Sequence, residues 1–250
     1  LFRLSSPTGR FTPVTNSFTI TNTLFAQSIT GQIRCGTTNM TNAIVVLIDA
    51  SGEGNFHSGT VANSTGGYTI KAPPGAYRLF ALKSGYVFDV MNAPVITLNS
   101  NATVTTNLSL LAATRTLAGR VVDAGNTNLG LPGMFLTAQS ASGHFVIGAC
   151  DANGDFSLRV SAGEWAPEPE YSSVTPLGYI TDLASPSFDT TSANVTNALI
   201  TLPKGTALFL GSIKADTGTP IRGAQFWCDQ DGEPRQYESG EILSDTNGNY

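Results

Sequence analysis

Charge is scarce in this sequence. Charged residues make up 12% of the 250-residue chain, about half the roughly 25% of an average domain. The 13 Lys and Arg are outnumbered by 18 Asp and Glu, giving a net charge of -5 with no basic patch. That balance excludes the electrostatic footprint of a nucleic-acid partner. No apolar run approaches the roughly 18 residues a membrane helix needs, and no stretch keeps apolar residues at helical spacing for three turns. Histidine is limited to His57 and His144. Neither opens a His-x-x-Glu or His-Glu-x-x-His pair, which excludes a zinc peptidase within this segment. There is no Gly-x-Ser-x-Gly elbow and no Walker loop. We therefore expect no catalytic residue, no cofactor and no metal in this segment. Cysteine is also rare: Cys35, Cys150 and Cys228 fall at different places relative to the repeated features below, so they do not form a recurring bridge and read as idle or buried thiols.

What the chain has in quantity is glycine and β-branched or turn-forming residues: 26 Gly, 31 Thr and many Ser and Asn, with 41% hydrophobic residues. This is the composition of strands and tight turns. It is organised by a repeated phrase. Gly31-Gln32-Ile33, Gly119-Arg120-Val121 and Gly211-Ser212-Ile213 each lead to a turn and an aromatic: Gly67-Tyr68, Asp151-Ala152-Asn153-Gly154-Asp155-Phe156 and Asp245-Thr246-Asn247-Gly248-Asn249-Tyr250. The glycines are 88 and 92 residues apart and the aromatics 88 and 94. A double match at nearly one offset predicts tandem copies. We expect the C-terminal strands of a preceding copy over 1–29, complete copies over 30–114 and 115–205, and the N-terminal half of a further copy over 206–250, cut from a longer protein.

Each complete copy carries six or seven short strand signals in about 90 residues, the pattern of an all-β sandwich. Alternation in the second strand sends Ala43, Val45 and Leu47, then Met134, Leu136 and Ala138, then Ala224, Phe226 and Cys228 inward. The same period turns Ile44, Phe135 and Trp227 outward. Asp-x-Asn-Gly supplies a side-chain acceptor at the turn entry and a glycine where φ is positive, which closes a hairpin. Asp151, Asn153 and Asp155 also alternate as at the start of a calcium loop, but its twelfth position is Ala162 rather than glutamate. Glu168 and Glu170 would suit an acid/base pair, yet Pro167-Glu168-Pro169-Glu170 reads as an exposed extended loop.

The order of these motifs resembles the carboxypeptidase regulatory-like domain. The carriers are the Gly-x-(Ile/Val) strand, the lead into the second strand (Leu131-Pro132-Gly133-Met134; Pro220-Ile221-Arg222-Gly223-Ala224), the Asp-x-Asn-Gly-x-aromatic hairpin, Pro74-Gly75-Ala76-Tyr77 and Ser84-Gly85-Tyr86. The second copy departs with Ala162-Gly163-Glu164-Trp165 and Leu177-Gly178-Tyr179. The resemblance implies tandem seven-stranded Greek-key sandwiches of transthyretin or immunoglobulin type, related to starch-binding-like and collagen-adhesin B-type repeats. In that family the domain is an accessory, so it implies no peptidase. The lysine cross-links of adhesin relatives are not expected, because Lys71, Lys83, Lys204 and Lys214 recur at no common position.

Binding is the remaining function class. Tyr77 and Trp165 share one repeat position and read as core. Trp227 is the best candidate for stacking on a ligand, with Tyr86 and Tyr179 after Gly turns as further candidates. The leading expectation is a non-catalytic spacer or adhesive stalk of a secreted or cell-surface protein, its partners being neighbouring repeats. The alternative is a carbohydrate-binding accessory module whose partner is a polysaccharide; a surface protein is the other partner considered.

Overall fold

The computed structural model describes residues 2–4, 14–16, 25–50, 56–182, 186–226, 228, 237–238 and 242–250. It is nearly all β. Strands β1 (Phe2–Leu4) and β2 (Val14–Asn16) form a ribbon of their own. The next ten are β3 (Ser28–Cys35), β4 (Thr38–Asn39), β5 (Ile44–Asp49), β6 (Phe56–Val61), β7 (Gly67–Lys71), β8 (Gly75–Leu82), β9 (Tyr86–Asp89), β10 (Val95–Leu98), β11 (Thr103–Thr105) and β12 (Leu108–Ala112). There follow β13 (Arg115–Asp123), β14 (Asn126–Gly130), β15 (Phe135–Ser140), β16 (His144–Ala149), β17 (Asp155–Val160) and β18 (Glu164–Pro169), and then the one-turn helix α1 (Tyr171–Val174). The chain continues through β19 (Thr181–Asp182), β20 (Phe188–Asp189), β21 (Val195–Leu202), β22 (Gln225–Phe226), β23 (Tyr237–Glu238) and β24 (Ile242–Leu243). Among the described residues no helix is long and apolar enough to cross a membrane.

Two hydrophobic cores result. The first gathers Ile29, Ile33, Val45, Leu47, Tyr68, Tyr77 and Leu79 among others, and the second Leu117, Met134, Leu136, Phe156, Leu158 and Trp165. Around the first, a sheet ordered β10-β8-β5-β6 faces one in which β3 lies between antiparallel β7 and the parallel strands β11 and β12. Around the second, β20-β18-β15-β16 repeats the first order, and β13 lies between antiparallel β17 and parallel β21. Alternation works as the sequence predicts: Ala43, Val45 and Leu47 are buried, as are Met134, Leu136 and Ala138, while Ile44 and Phe135 are exposed. In the third stretch Ala224, Phe226 and Cys228 are half-buried, and Trp227 lies outside the described residues.

The opening glycines have a packing reason. A Cβ on Gly31 would overlap the carbonyl oxygen of Thr106, and one on Gly119 that of Ala198, both on the parallel strand side. Only a residue without a side chain lets the two backbones approach. The turns also repeat one chemistry. Asp151 Oδ1 accepts the amides of Asn153 (2.8 Å) and Asp155 (3.0 Å), Asp245 Oδ1 those of Asn247 (2.7 Å) and Asn249 (2.8 Å), and Asn63 Oδ1 those of Thr65 and Gly67 (both 2.9 Å). Gly154, Gly248 and Gly66 follow at φ of 81°, 77° and 78°. The carboxylates thus serve backbone amides.

One expectation is corrected. Pro167 and Pro169 belong to strand β18, paired with Ala138 and Leu136 of β15, instead of an extended loop. The prolines are tolerated because β20, on the other side, pairs only with Glu164 and Trp165, so among the described residues no neighbour there calls on the missing N–H groups. Partial desolvation along β18, followed by the charge of nearby Glu170, pushes the carboxyl of the otherwise exposed Glu168 above its usual range.

Candidate functional site: the strand between the two cores

Strand β9 joins the two sandwiches. Its Leu110 to Ala112 partners on β12 tie it to the first core's sheet, and on its other edge His144 and Phe145 of β16 pair with Asp89 and Phe88. The result is one sheet running β11-β3-β12-β9-β16-β15-β18-β20 through both bodies. Neighbouring side chains on a strand point to opposite faces. Here the faces belong to different cores: Val87, 0% exposed, packs in the second, and Phe88, 4% exposed, packs in the first. Phe88 meets Phe80 edge-on, with ring centroids 5.7 Å apart at 63°.

The surroundings fix this strand further. Val90 N–H donates to the carbonyl of Gly143 (2.9 Å), a second backbone tie across the junction. Asp89 accepts the Asn92 side-chain amide (2.7 Å) and backbone N–H (3.1 Å), which with the nearby His144 hold its carboxyl below the usual range. His144 Nδ1 shares a hydrogen bond of 2.8 Å with Ser161 Oγ. Ser161, His144 and Asp89 are the residue types of a hydrolytic triad, but the carboxylate is committed to Asn92. The set orders the ladder's end.

Tyr86, at the start of β9, is half-buried and lines a cavity of about 230 Å³ between the sandwiches, together with Ile44 and Lys83 on one side and Phe145, Ile147 and Arg159 on the other. Both cations are engaged by the chain. Lys83 Nζ donates to Thr41 O (2.6 Å), and Arg159 donates to Thr116 Oγ1 (2.7 Å) and Ala113 O (3.1 Å), across the connection between the bodies.

Tyr179 occupies the matching place after its Gly turn but is 6% exposed within the second core. Its hydroxyl donates to Asp123 Oδ2 (2.8 Å), whose Oδ1 accepts the Gly125 (2.7 Å) and Asn126 (3.1 Å) amides. Lys204 Nζ lies 3.3 Å from the same Oδ2 and 5.7 Å from the Tyr179 ring centroid. Burial, then the hydrogen bond to Asp123, pushes the Tyr179 hydroxyl up to about 12. The Tyr179 hydrogen bond holds the Asp123 carboxyl down, assisted by Gly125 and Lys204. Tyr86 and Tyr179 are therefore not brought together into one surface.

Tyr77 and Trp165 are buried in their respective cores and use one device. Tyr77 O–H donates to Pro73 O and Trp165 Nε1 to Ser161 O, each at 2.9 Å and each four residues back. Cys150 is buried, which pushes its thiol up to about 12, and none of Cys35, Cys150 and Cys228 is joined in a disulfide.

No protein-family model matches the sequence, and no curated protein aligns with it. Among solved structures, the TIE protein of Bacillus anthracis is similar at 17% identity and a TM-score of 0.33, over 89% of this chain and 42% of that one. A streptococcal ancillary pilin is similar at 14% identity and 0.33, over 75% and 64% respectively. The minor pilin of Streptococcus agalactiae is similar at 13% and 0.30, over 75% of this chain and 100% of that one. The chain thus spans less than two thirds of the first two.

Proposed function

We propose that this segment is a non-catalytic spacer or adhesive stalk of a secreted or cell-surface protein, built from sandwich modules over 30–114 and 115–205, with parts of further modules over 1–29 and 206–250. The observation that carries the reading is β9. A flexible linker would leave each core complete by itself, whereas here Val87 and Phe88 fill different cores and the backbone is hydrogen-bonded to both bodies. Bending at the junction would break ladder bonds and expose Val87 together. Such a connection holds distance and direction, which is what a stalk requires. Assignment to the carboxypeptidase regulatory-like group is the finer part of the proposal and rests on the sequence motifs.

The carbohydrate-binding alternative needs an open aromatic face. Tyr179 is closed into a core, Tyr86 sits half-buried in a cleft whose cations are engaged, and Trp227 lies outside the described residues. The spacer reading is therefore preferred. Spin labels placed at exposed Thr38 and Asn126, with the native cysteines replaced, test it by pulsed dipolar spectroscopy. A single narrow distance distribution is expected. A broad one, as for domains on a free linker, would overturn it.

A further inference from the structure

The contact made by β9 recurs. The segment Gly85-Tyr86-Val87-Phe88-Asp89 has its counterpart in Gly178-Tyr179-Ile180-Thr181-Asp182, so both modules carry Gly-Tyr-(Val/Ile)-x-Asp. Ala112 faces Tyr86 on the module's last strand, just as Lys204 bridges to Tyr179. In each case the end of the segment then adds antiparallel to the following body. Asp89 pairs with His144 of β16, and Asp182 pairs with Tyr237 of β23. The acceptor strands are equivalent: Phe145 and Tyr237 both lie 26 residues after their opening glycines. His57 lies 26 residues after Gly31, within β6.

Strand β6 occupies the place in β10-β8-β5-β6 that β16 occupies in β20-β18-β15-β16, yet it has no second neighbour among the described residues. The Ala62 amide bonds inward to Ala43 O (2.8 Å), so alternation turns the Thr60 and Ser58 amides the same way and those of Val61 and Gly59 toward the open side. Isolated sheet edges are usually blunted by charge, proline or a bulge. Phe56-His57-Ser58-Gly59-Thr60-Val61 has neither charge nor proline, and its one register shift, opposite Leu47 and Ile48, lies at the Phe56 end, before Gly59 and Val61.

We propose that the open edge of β6 is a docking site for an antiparallel Gly-Tyr-(Val/Ile)-x-Asp strand from another sandwich module of this kind, stacked head to tail. The strand is not supplied by β9 or β19 of a second copy, since both are already paired within the chain. Main-chain hydrogen bonds give the attraction, and the alternate side chains give the register. This inference rests on the stacked-module reading, but its test leaves the β9 junction untouched, so the two can fail separately.

The test adds a synthetic peptide with the sequence of residues 83–91 to the full chain, up to millimolar concentration, and follows amide hydrogen exchange. The expected result is roughly tenfold slower exchange at Gly59 and Val61, equivalent to about 1.4 kcal/mol of added protection. A scrambled peptide leaves exchange unchanged, and Gly59→Pro, which removes one outward donor, abolishes the effect while exchange in β5 and β8 stays as it was. Unchanged exchange at β6, protection at β16 through displacement of β9, or dimerisation of the chain through β6 would each overturn the proposal.

Discussion

Truncating Val87 separates the shared-strand architecture from a simple chain of independent bodies. Val87 belongs by sequence to the first module but is fully buried in the second core. Val87→Ala removes two methyl groups, worth about 1.6 kcal/mol in transfer at about 0.8 kcal/mol per buried carbon, and an incompletely collapsed cavity raises the loss to about 2–3 kcal/mol. With a urea m-value of about 2 kcal/mol/M, the midpoint of the second core should fall by roughly 1 M. Trp165, fully buried in that core, reports it by fluorescence in a Trp227→Phe background. The first core is followed by amide exchange in β3 and β5. Its protection should change much less, whereas Phe88→Ala should reverse the pattern. If Val87→Ala left the Trp165 transition in place and loosened only β3 and β5, the shared-strand account would be refuted.

Two other outcomes follow from the geometry. Gly119→Ala forces a Cβ onto the Ala198 carbonyl and should destabilise the second core by about 1–3 kcal/mol, read by the same Trp165 transition; an unchanged midpoint would contradict the close parallel approach. The Tyr179–Asp123 pair should give stability two pH limits. Tyr179 is raised to about 12, so the unfolded chain loses its proton first and stability falls as pH climbs from about 10. Asp123 is lowered, so its contribution is present above the ordinary aspartate range of about 4 and is lost as pH falls through the lower folded value. Tyr179→Phe should flatten the alkaline limb in thermal melts taken between pH 9 and 12, and an unaltered limb would assign it to other groups.

The parts of the fold that were legible in the sequence are those governed by local chemistry. Period-two alternation placed Val45 and Leu136 inside because one face of each strand meets a core. The Asp-x-Asn-Gly turns were legible because an oxygen acceptor two and four residues before amide donors, with glycine at positive φ, closes a hairpin wherever it occurs. The opening glycines were visible as a repeat, but their cause was not: it lies in a parallel strand about 75 residues away. Separation along the chain likewise hid the partner of Tyr179, since Asp123 is 56 residues upstream. Pro167 and Pro169 misled because proline argues against a strand unless one side of that strand is free, and which side is free is a property of the sheet.

The role of β9 was the least legible feature, although its signal was present. Tyr86-Val87-Phe88-Asp89 is too short for periodicity to resolve, and a run in which adjacent residues are both large and apolar denotes a strand covered on both faces. Within one sandwich, a strand has one buried face and one wet face. Two adjacent buried residues on a single strand therefore require a second apolar body on the far side, and here that body is the next core. Ser28 onward supplies the first core's β3 and Arg115 onward the second core's β13, so the chain leaves the first module before the second exists to receive Val87. The first sandwich must accordingly hold β9 through its β12 ladder and the packing of Phe88 on Phe80, with Val87 uncovered, until β16 and β17 have folded against it. The coupling is directional: the second core needs a residue from the first, while Phe88 is supplied to the first by its own strand. A module lacking its predecessor loses a core side chain, and one lacking its successor exposes one.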